Sequence, residues 1–205
     1  MTALSVEGGV TALTLASSNH HKISEFQKIF SGFGIELQGL PEKLNLTVPE
    51  ENGKSFSENA DLKAKHYSLR LPGLVLSDDS GLCVDALDGQ PGIHSARFAG
   101  ADANDQSNVL KLLSLLPPTD PETRSAHFTC ALSLASEGKI LHRTEGRVSG
   151  LIVSAVRGLQ GFGYDPAFFY PPLQKTFAEI SSEEKCRLSH RFHASKAMAA
   201  WLKKR

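Results

Sequence analysis

The chain is poor in cysteine and in aromatic residues and has no excess charge of either sign. Its 205 residues hold three cysteines, 7% aromatics and 22 basic against 22 acidic side chains. Cys83, Cys130 and Cys186 are odd in number, far apart and without a Cys-x-x-Cys spacing. That excludes a disulfide scaffold and a thiolate zinc centre, and predicts reduced, buried thiols. The balanced charge excludes bulk electrostatic capture of nucleic acid or of an anionic membrane, since both rely on a basic excess. No apolar run approaches the roughly 18 residues of a membrane-spanning helix, and the start of the chain lacks the basic segment of a signal peptide. Residues 1–9 therefore read as a loose N-terminal extension of a cytoplasmic protein. What is present is ordinary globular material, 40% hydrophobic and 21% charged. It suffices, over residues 10–205, for one medium-sized domain or two tightly fused lobes.

Apolar periodicity predicts an α/β protein. Val10 to Ala16 reads as a strand, followed by a polar turn, Ser17 to His21, and a helix from Lys22 to Phe30 with Ile23, Phe26, Ile29 and Phe30 on one face. Gly32 and Gly34 end that helix, and Ile35 to Leu40 reads as a second strand. Ser55-x-x-Glu58 is a capping box for a helix reaching Leu71, with Ala60, Lys63, Ala64 and Tyr67 in one stripe. Leu74 to Leu76 reads as a strand stopping at the polar turn Ser77 to Gly81. Asn104 to Leu116 reads as a helix with Val109, Leu110, Leu113 and Leu116 in register, stopped by Pro117-Pro118. Alternation from His127 to Leu134 predicts a strand with one buried face. Ile140 to Arg147 and Val148 to Val156 read as two more strands, before a glycine-rich loop, Gly158 to Pro166. A helix from His190 to Lys203 closes the chain, with Phe192, Ala199 and Leu202 inward.

The chemistry concentrates where strands are expected to end, the usual place for α/β ligand sites. Asp78-Asp79 reads either as a turn cap or as two carboxylates that repel unless a cation lies between them. Mg²⁺ suits the second reading, being commonly held by one or two carboxylates plus substrate phosphates. Glu51 could add another carboxylate. Ser17 to Lys22 at a helix start can cradle phosphate on free N–H groups. Lys22, Lys63, Lys185, His190 and Arg191 are the scattered cationic groups, each ordinary by itself. Phe162 and Tyr164, set among glycines, could stack on a planar base.

The order of these motifs resembles the inosine triphosphate pyrophosphatase family, the dITP/XTP pyrophosphatases. The resemblance rests on Ala16-Ser-Ser-Asn19-His-His-Lys22, on Glu51 to Gly53 with Phe56-Ser-Glu58-Asn59-Ala60-x-x-Lys63-Ala64, and on Ser77-Asp-Asp-Ser-Gly-Leu-Cys-Val-Asp-Ala-Leu87. It continues through Gly89-Gln-Pro-Gly-Ile-His-Ser-Ala-Arg97, Gly161-Phe-Gly-Tyr-Asp-Pro166 and Ser189-His-Arg191. Two departures stand out: Ser17-Ser18-Asn19 replaces the family's Thr-Gly-Asn, and Phe192 follows Arg191 where glycine is usual.

The resemblance implies an elongated mixed sheet flanked by helices, two lobes with a nucleotide cleft between them, and a homodimer. It implies Mg²⁺-dependent hydrolysis of ITP, dITP and XTP to the monophosphate and pyrophosphate, with neither nucleic acid nor membrane as partner. Carried over, Ser17, Ser18, Asn19, His20, His21, Lys22 and Lys63 would surround the triphosphate, with Ser80 near the substrate. Glu51 and Asp79 would hold the metal. Phe162 would stack on the purine, with Gly163, Tyr164, Asp165, Lys185, His190 and Arg191 around the base. Asp79 would act on the attacking water, and Lys22 and Lys63 on the developing charge. Rival readings are a pyrophosphatase for modified pyrimidine or methylated nucleotides, and a silent nucleotide-binding module.

Overall fold

The computed structural model describes residues 12–41, 47–117 and 124–204. The expected N-terminal extension, Val10 and Pro118 lie outside the described residues. Strand β1 (Ala12–Leu15) leads into α1 (His20–Ser31), which begins two residues earlier than its apolar pattern suggests. The cause is Asn19, whose side chain accepts from the backbone N–H of Lys22 at 3.1 Å and fixes the first turn there. His20 and His21 thus belong to the helix, not to a turn. Gly34, at φ 74°, swings the chain into β2 (Glu36–Gln38).

Ser55 caps α2 (Phe56–Ser68) as expected, accepting from Glu58 N–H at 3.2 Å. The return bond of the expected capping box goes elsewhere: the Glu58 carboxylate accepts from Lys54 N–H at 2.7 Å, one residue before the cap. Ala60, Lys63, Ala64 and Tyr67 form the buried stripe. Further on, α3 (Asp105–Leu115) buries Val109 and Leu112 but leaves Leu110 60% exposed, correcting the expected register.

The largest correction concerns β3 (Leu74–Val84), which does not stop at Leu76. Its parallel partner β1 pairs with it only from Leu74 to Leu76. Beyond that, β4 (Ser125–Ser136) supplies an antiparallel ladder from Val75 to Val84, so the polar stretch Ser77 to Gly81 has its backbone bonds met inside a strand. β4 itself is buried on both faces, Thr129, Ala131 and Ser133 included, because helices cover both sides. The two strands expected after it are one, β5 (Lys139–Ile152). It continues through Gly146 because α5 (His190–Leu202) passes so close that a Cβ there would meet the His190 carbonyl oxygen.

Two short strands, β6 (Phe168–Tyr170) and β7 (Lys175–Thr176), complete a seven-stranded mixed sheet in the order β2-β1-β3-β4-β5-β6-β7. Helix α4 (Ser182–Leu188) was not anticipated. One face of the sheet is packed by α1 and α5 around Phe26, Phe30, Leu76, Leu132 and Met198. The other carries α2, with Tyr67 and Leu71 against Val75. A third cluster, around Phe128, Phe168 and Phe177, fills the end beyond β5. On α5 the buried side is His190, Arg191, Ala194, Ser195, Met198 and Ala199, whereas Phe192 and Leu202 are only half-buried. Of the cysteines only Cys130 is buried; Cys83 and Cys186 are half-buried.

Candidate active site

Because β1 ends at Leu15 while β3 runs on, the sheet has a step at Asp78 to Ser80, and a cavity of about 340 Å³ lies over it. That volume is within the usual range for small-molecule sites. Its walls come from the start of α1 (Ser17, Ser18, Asn19, Lys22), from Glu51 and Lys63, and from Asp78 to Gly81. The rest is lined by Ser95 to Arg97, Asp105 and Asn108, by Phe162 to Asp165, and by His190 and Arg191.

Successive side chains of a strand point to opposite faces, so the two adjacent carboxylates contact different lysines, Asp78 meeting Lys22 and Asp79 meeting Lys63. Asp78 faces α1 and α5. Lys22 Nζ donates to its Oδ2 at 2.9 Å, the Ser80 hydroxyl donates to it at 3.1 Å, and Arg191 Nη2 donates to Ser80 Oγ at 3.0 Å. Burial alone would push Asp78 up, but Lys22, Lys63 and Arg191 together outweigh it and hold the group at about 2. Glu25, on α1, ties the far side of this network: its carboxylate accepts from Lys185 Nζ at 2.6 Å and from Arg191 Nη1 at 2.8 Å. Lys185 also donates to Asp165, which accepts from Phe162 N–H at 2.9 Å.

Asp79 faces α2. Asn59 Nδ2 donates to its Oδ2 at 3.1 Å, while Lys63 Nζ stands 3.6 Å from its Oδ1 and 2.9 Å from Glu51 Oε1. Here burial wins, reinforced by the charge of Asp78 against the opposing lysines, and Asp79 is pushed up to about 6. Glu51 and Asp79 converge on one point that Lys63 neutralises, and two carboxylates about a cationic point suit a hard divalent ion. Among the described residues no three His, Cys, Asp or Glu side chains form a ready-made cage. A metal at that point would take its other ligands from phosphate and water, as Mg²⁺ commonly does.

The structure brings together Ser17, Asn19, Lys22, Glu51, Lys63, Asp78, Asp79 and Ser80 around one cavity with Phe162, Gly163, Tyr164, Asp165, His190 and Arg191. Three expected residues stand off its wall. His20 is exposed on the first turn of α1. His21 is exposed and stacks on Phe162, ring centroids 5.2 Å apart. Lys185 is buried behind the wall, its ammonium 4.8 Å from the Phe162 ring centre. Ser18, standing where the family has glycine, is not among the residues with positive φ, so the serine fits without backbone strain. Phe192 packs against Phe33 at 6.0 Å.

His190 is fully enclosed, stacked on Phe128 at 4.7 Å, and neither ring nitrogen has a hydrogen-bond partner. Burial and the nearby Arg191 and Lys185 keep it neutral, well below the ordinary histidine value. A buried imidazole at a cavity wall with both nitrogens unmet is an arrangement that a polar ligand completes. Sequence reasoning missed Glu25, Asn59, Asp105 and Asn108. Asn59 and Glu58 sat inside a recognised motif, which was a usable signal; Glu25 offered none, since its partners lie 160 and 166 positions away.

A stepped α/β sheet places two adjacent carboxylates, Lys22 at a helix start, Lys63 within α2 and the aromatic Phe162 around one cleft. A family model described as the Ham1 family matches residues 13–201. A curated protein named dITP/XTP pyrophosphatase from Geobacillus kaustophilus is 45% identical over 182 residues, 89% of each chain. One of the same name from Desulfotalea psychrophila is 46% identical over 182 residues, 89% of this chain and 81% of its own. The solved structure of the Staphylococcus aureus Ham1 protein superposes with a TM-score of 0.83 at 40% identity, covering 95% of this chain and 99% of its own. The chain belongs to the Ham1 family, and with that comes its class, a hydrolase of the pyrophosphatase kind.

Proposed function

We propose that this chain hydrolyses the non-standard purine triphosphates ITP, dITP and XTP to monophosphate and pyrophosphate, clearing them from the cytoplasmic nucleotide pool as a homodimer. The observation that carries this reading is that one cavity is lined both by Ser17, Asn19, Lys22 and Lys63 beside Glu51 and Asp79, which suit phosphate and form its phosphate end in this reading, and by Phe162, His190 and Arg191, which suit a purine and form its base end. The name of the curated relatives, dITP/XTP pyrophosphatase, supports dITP and XTP among these substrates.

Glu51 and Asp79 are the residues that would hold Mg²⁺. Once bound, the ion supplies positive charge for the phosphates and acidifies a water. Asp79 orients a water toward the α-phosphorus and takes its proton, while Asp78, locked to Lys22 and Ser80, keeps the cation network in place. Lys22 and Lys63 steady charge developing on the leaving pyrophosphate. Ser18 borders the phosphate cradle, with His20 and His21 outside it on the first turn of α1.

At the base end Phe162 stacks on the purine, His190 and Arg191 address its edge as donors, Asp165 offers an acceptor, and Lys185 behind the wall holds Asp165 and Glu25 in place. A 6-oxo group accepts from such donors, whereas the 6-amino group of adenine meets them donor to donor. A site built on buried hydrogen bonds rejects such a mismatch strongly. Tyr164 fixes the loop by donating to the Ser95 carbonyl at 2.9 Å. The test is pyrophosphate release from dITP, XTP and ITP against dATP and dGTP, with and without Mg²⁺. Metal-dependent release from the first three is expected; equal rates across the panel would remove the proposed specificity.

A further inference from the structure

Most of the cations around the cavity are already engaged. Lys22 is paired with Asp78, Lys63 with Glu51 and Asp79, and Arg191 with Glu25. Arg97 is different. It ends the short 3₁₀ helix Gly92–Arg97, lines the cavity and is exposed there, and among the described residues its guanidinium has no hydrogen bond or ion pair.

The backbone around it is pinned to α3. The buried Asn108 donates to the Ala96 carbonyl at 3.1 Å and accepts from Ala99 N–H at 2.8 Å, so it grips the chain on both sides of Arg97. Lys111 donates to the Phe98 carbonyl at 2.5 Å and lies over the Phe98 ring at 4.5 Å. Four consecutive residues are thus held rigid, with a single charged side chain left free at the cavity. The first turn of the same helix also holds the base loop, since Asp105 accepts from Gly163 N–H at 2.6 Å.

We propose that Arg97 is a substrate-binding residue for the polyphosphate of the nucleotide. A phosphate that draws on Lys22 or Lys63 competes with the carboxylates those lysines already hold. Arg97 can offer its planar donor fork to phosphate oxygens without breaking any pair. The pinned backbone means that little order is lost when it binds.

This inference rests on the nucleotide reading above, and its test separates the two. Inorganic tripolyphosphate is titrated calorimetrically into the parent protein, Arg97→Gln and Arg97→Lys, with uncharged inosine as control, and KM for dITP is measured alongside. Arg97→Gln is expected to weaken tripolyphosphate binding and raise KM about ten- to hundredfold, the usual worth of a charged hydrogen bond. Arg97→Lys should recover part of the loss, inosine binding should be unchanged, and the melting temperature should stay put because Arg97 holds nothing in the fold. Tripolyphosphate binding unchanged in Arg97→Gln would overturn the proposal. A parent protein that binds tripolyphosphate through Arg97 yet leaves dITP intact would instead refute the nucleotide reading and keep the anion site.

Discussion

Asp78 and Asp79 are one peptide bond apart, yet β3 delivers them to regions of the molecule with opposite physical chemistry. On the α1–α5 side, Asp78 is the anionic centre of a closed network with Lys22, Ser80, Arg191 and Glu25, and is held at about 2. On the α2 side, Asp79 shares one lysine with Glu51 and is pushed up to about 6. A strand pleat therefore suffices to separate a carboxylate that organises a site from one that can exchange a proton in it. The first sets the shape of the base end, since Arg191 reaches both Ser80 and Glu25. The second faces Lys63, Glu51 and Asn59, where the proposed metal and phosphate would lie.

The comparison breaks most sharply at Asp79→Asn. Turnover of dITP should fall by about 10³-fold, within the usual worth of a general base, while circular dichroism and melting remain those of a folded protein. Retained turnover would move the chemistry to the other face. Asp78→Asn should show the reverse emphasis. It leaves Lys22 without its buried partner and should cost about 3 kcal/mol of stability in denaturant titration. A variant as stable as the parent would deny the network its structural role.

Titration should carry opposite signs on the two faces. The folded value of Asp79 lies above its unfolded value near 3.8, so its contribution is present below about pH 4 and is lost as pH rises through about 6. The folded value of Asp78 is lowered, so its contribution is present above about pH 4 and is lost as pH falls toward 2. In divalent-free buffer, the stability of the parent relative to Asp79→Asn should decline between pH 4 and 7, by up to about 3 kcal/mol. A flat difference would contradict the burial of Asp79. Smallest is Glu25→Gln: loosening Lys185 and Arg191 should raise KM for dITP about tenfold, or about 1.4 kcal/mol, with kcat changed less. Equal losses in both would give Glu25 a different role.

Local signals carried much of this into the sequence. Ser55 announces its helix because a cap is decided by a few neighbouring residues, and Asn19 and Asn104 cap α1 and α3 in the same local way, although the apolar pattern of α1 begins only at Lys22. The motif blocks named the residues that meet at the cavity. What stayed hidden depends on distant partners. Ser77 to Gly81 looks like a loop until β4, some fifty residues later, supplies its ladder. With the strand read as ending there, Asp78 and Asp79 looked like one repelling pair instead of two separate sites. β5 looked like two strands because nothing nearby reveals that α5 crosses at Gly146. Glu25 carries no local signal for the same reason, its partners Lys185 and Arg191 being distant in the chain.

The central claim is that water guided from the Asp79 face attacks the α-phosphorus of a triphosphate lying along the cavity. Hydrolysis of dITP in ¹⁸O-labelled water with Mg²⁺, followed by mass spectrometry of both products, tests it most directly. The account predicts the label in dIMP and none in pyrophosphate; label in pyrophosphate, or release of single phosphates, would contradict it.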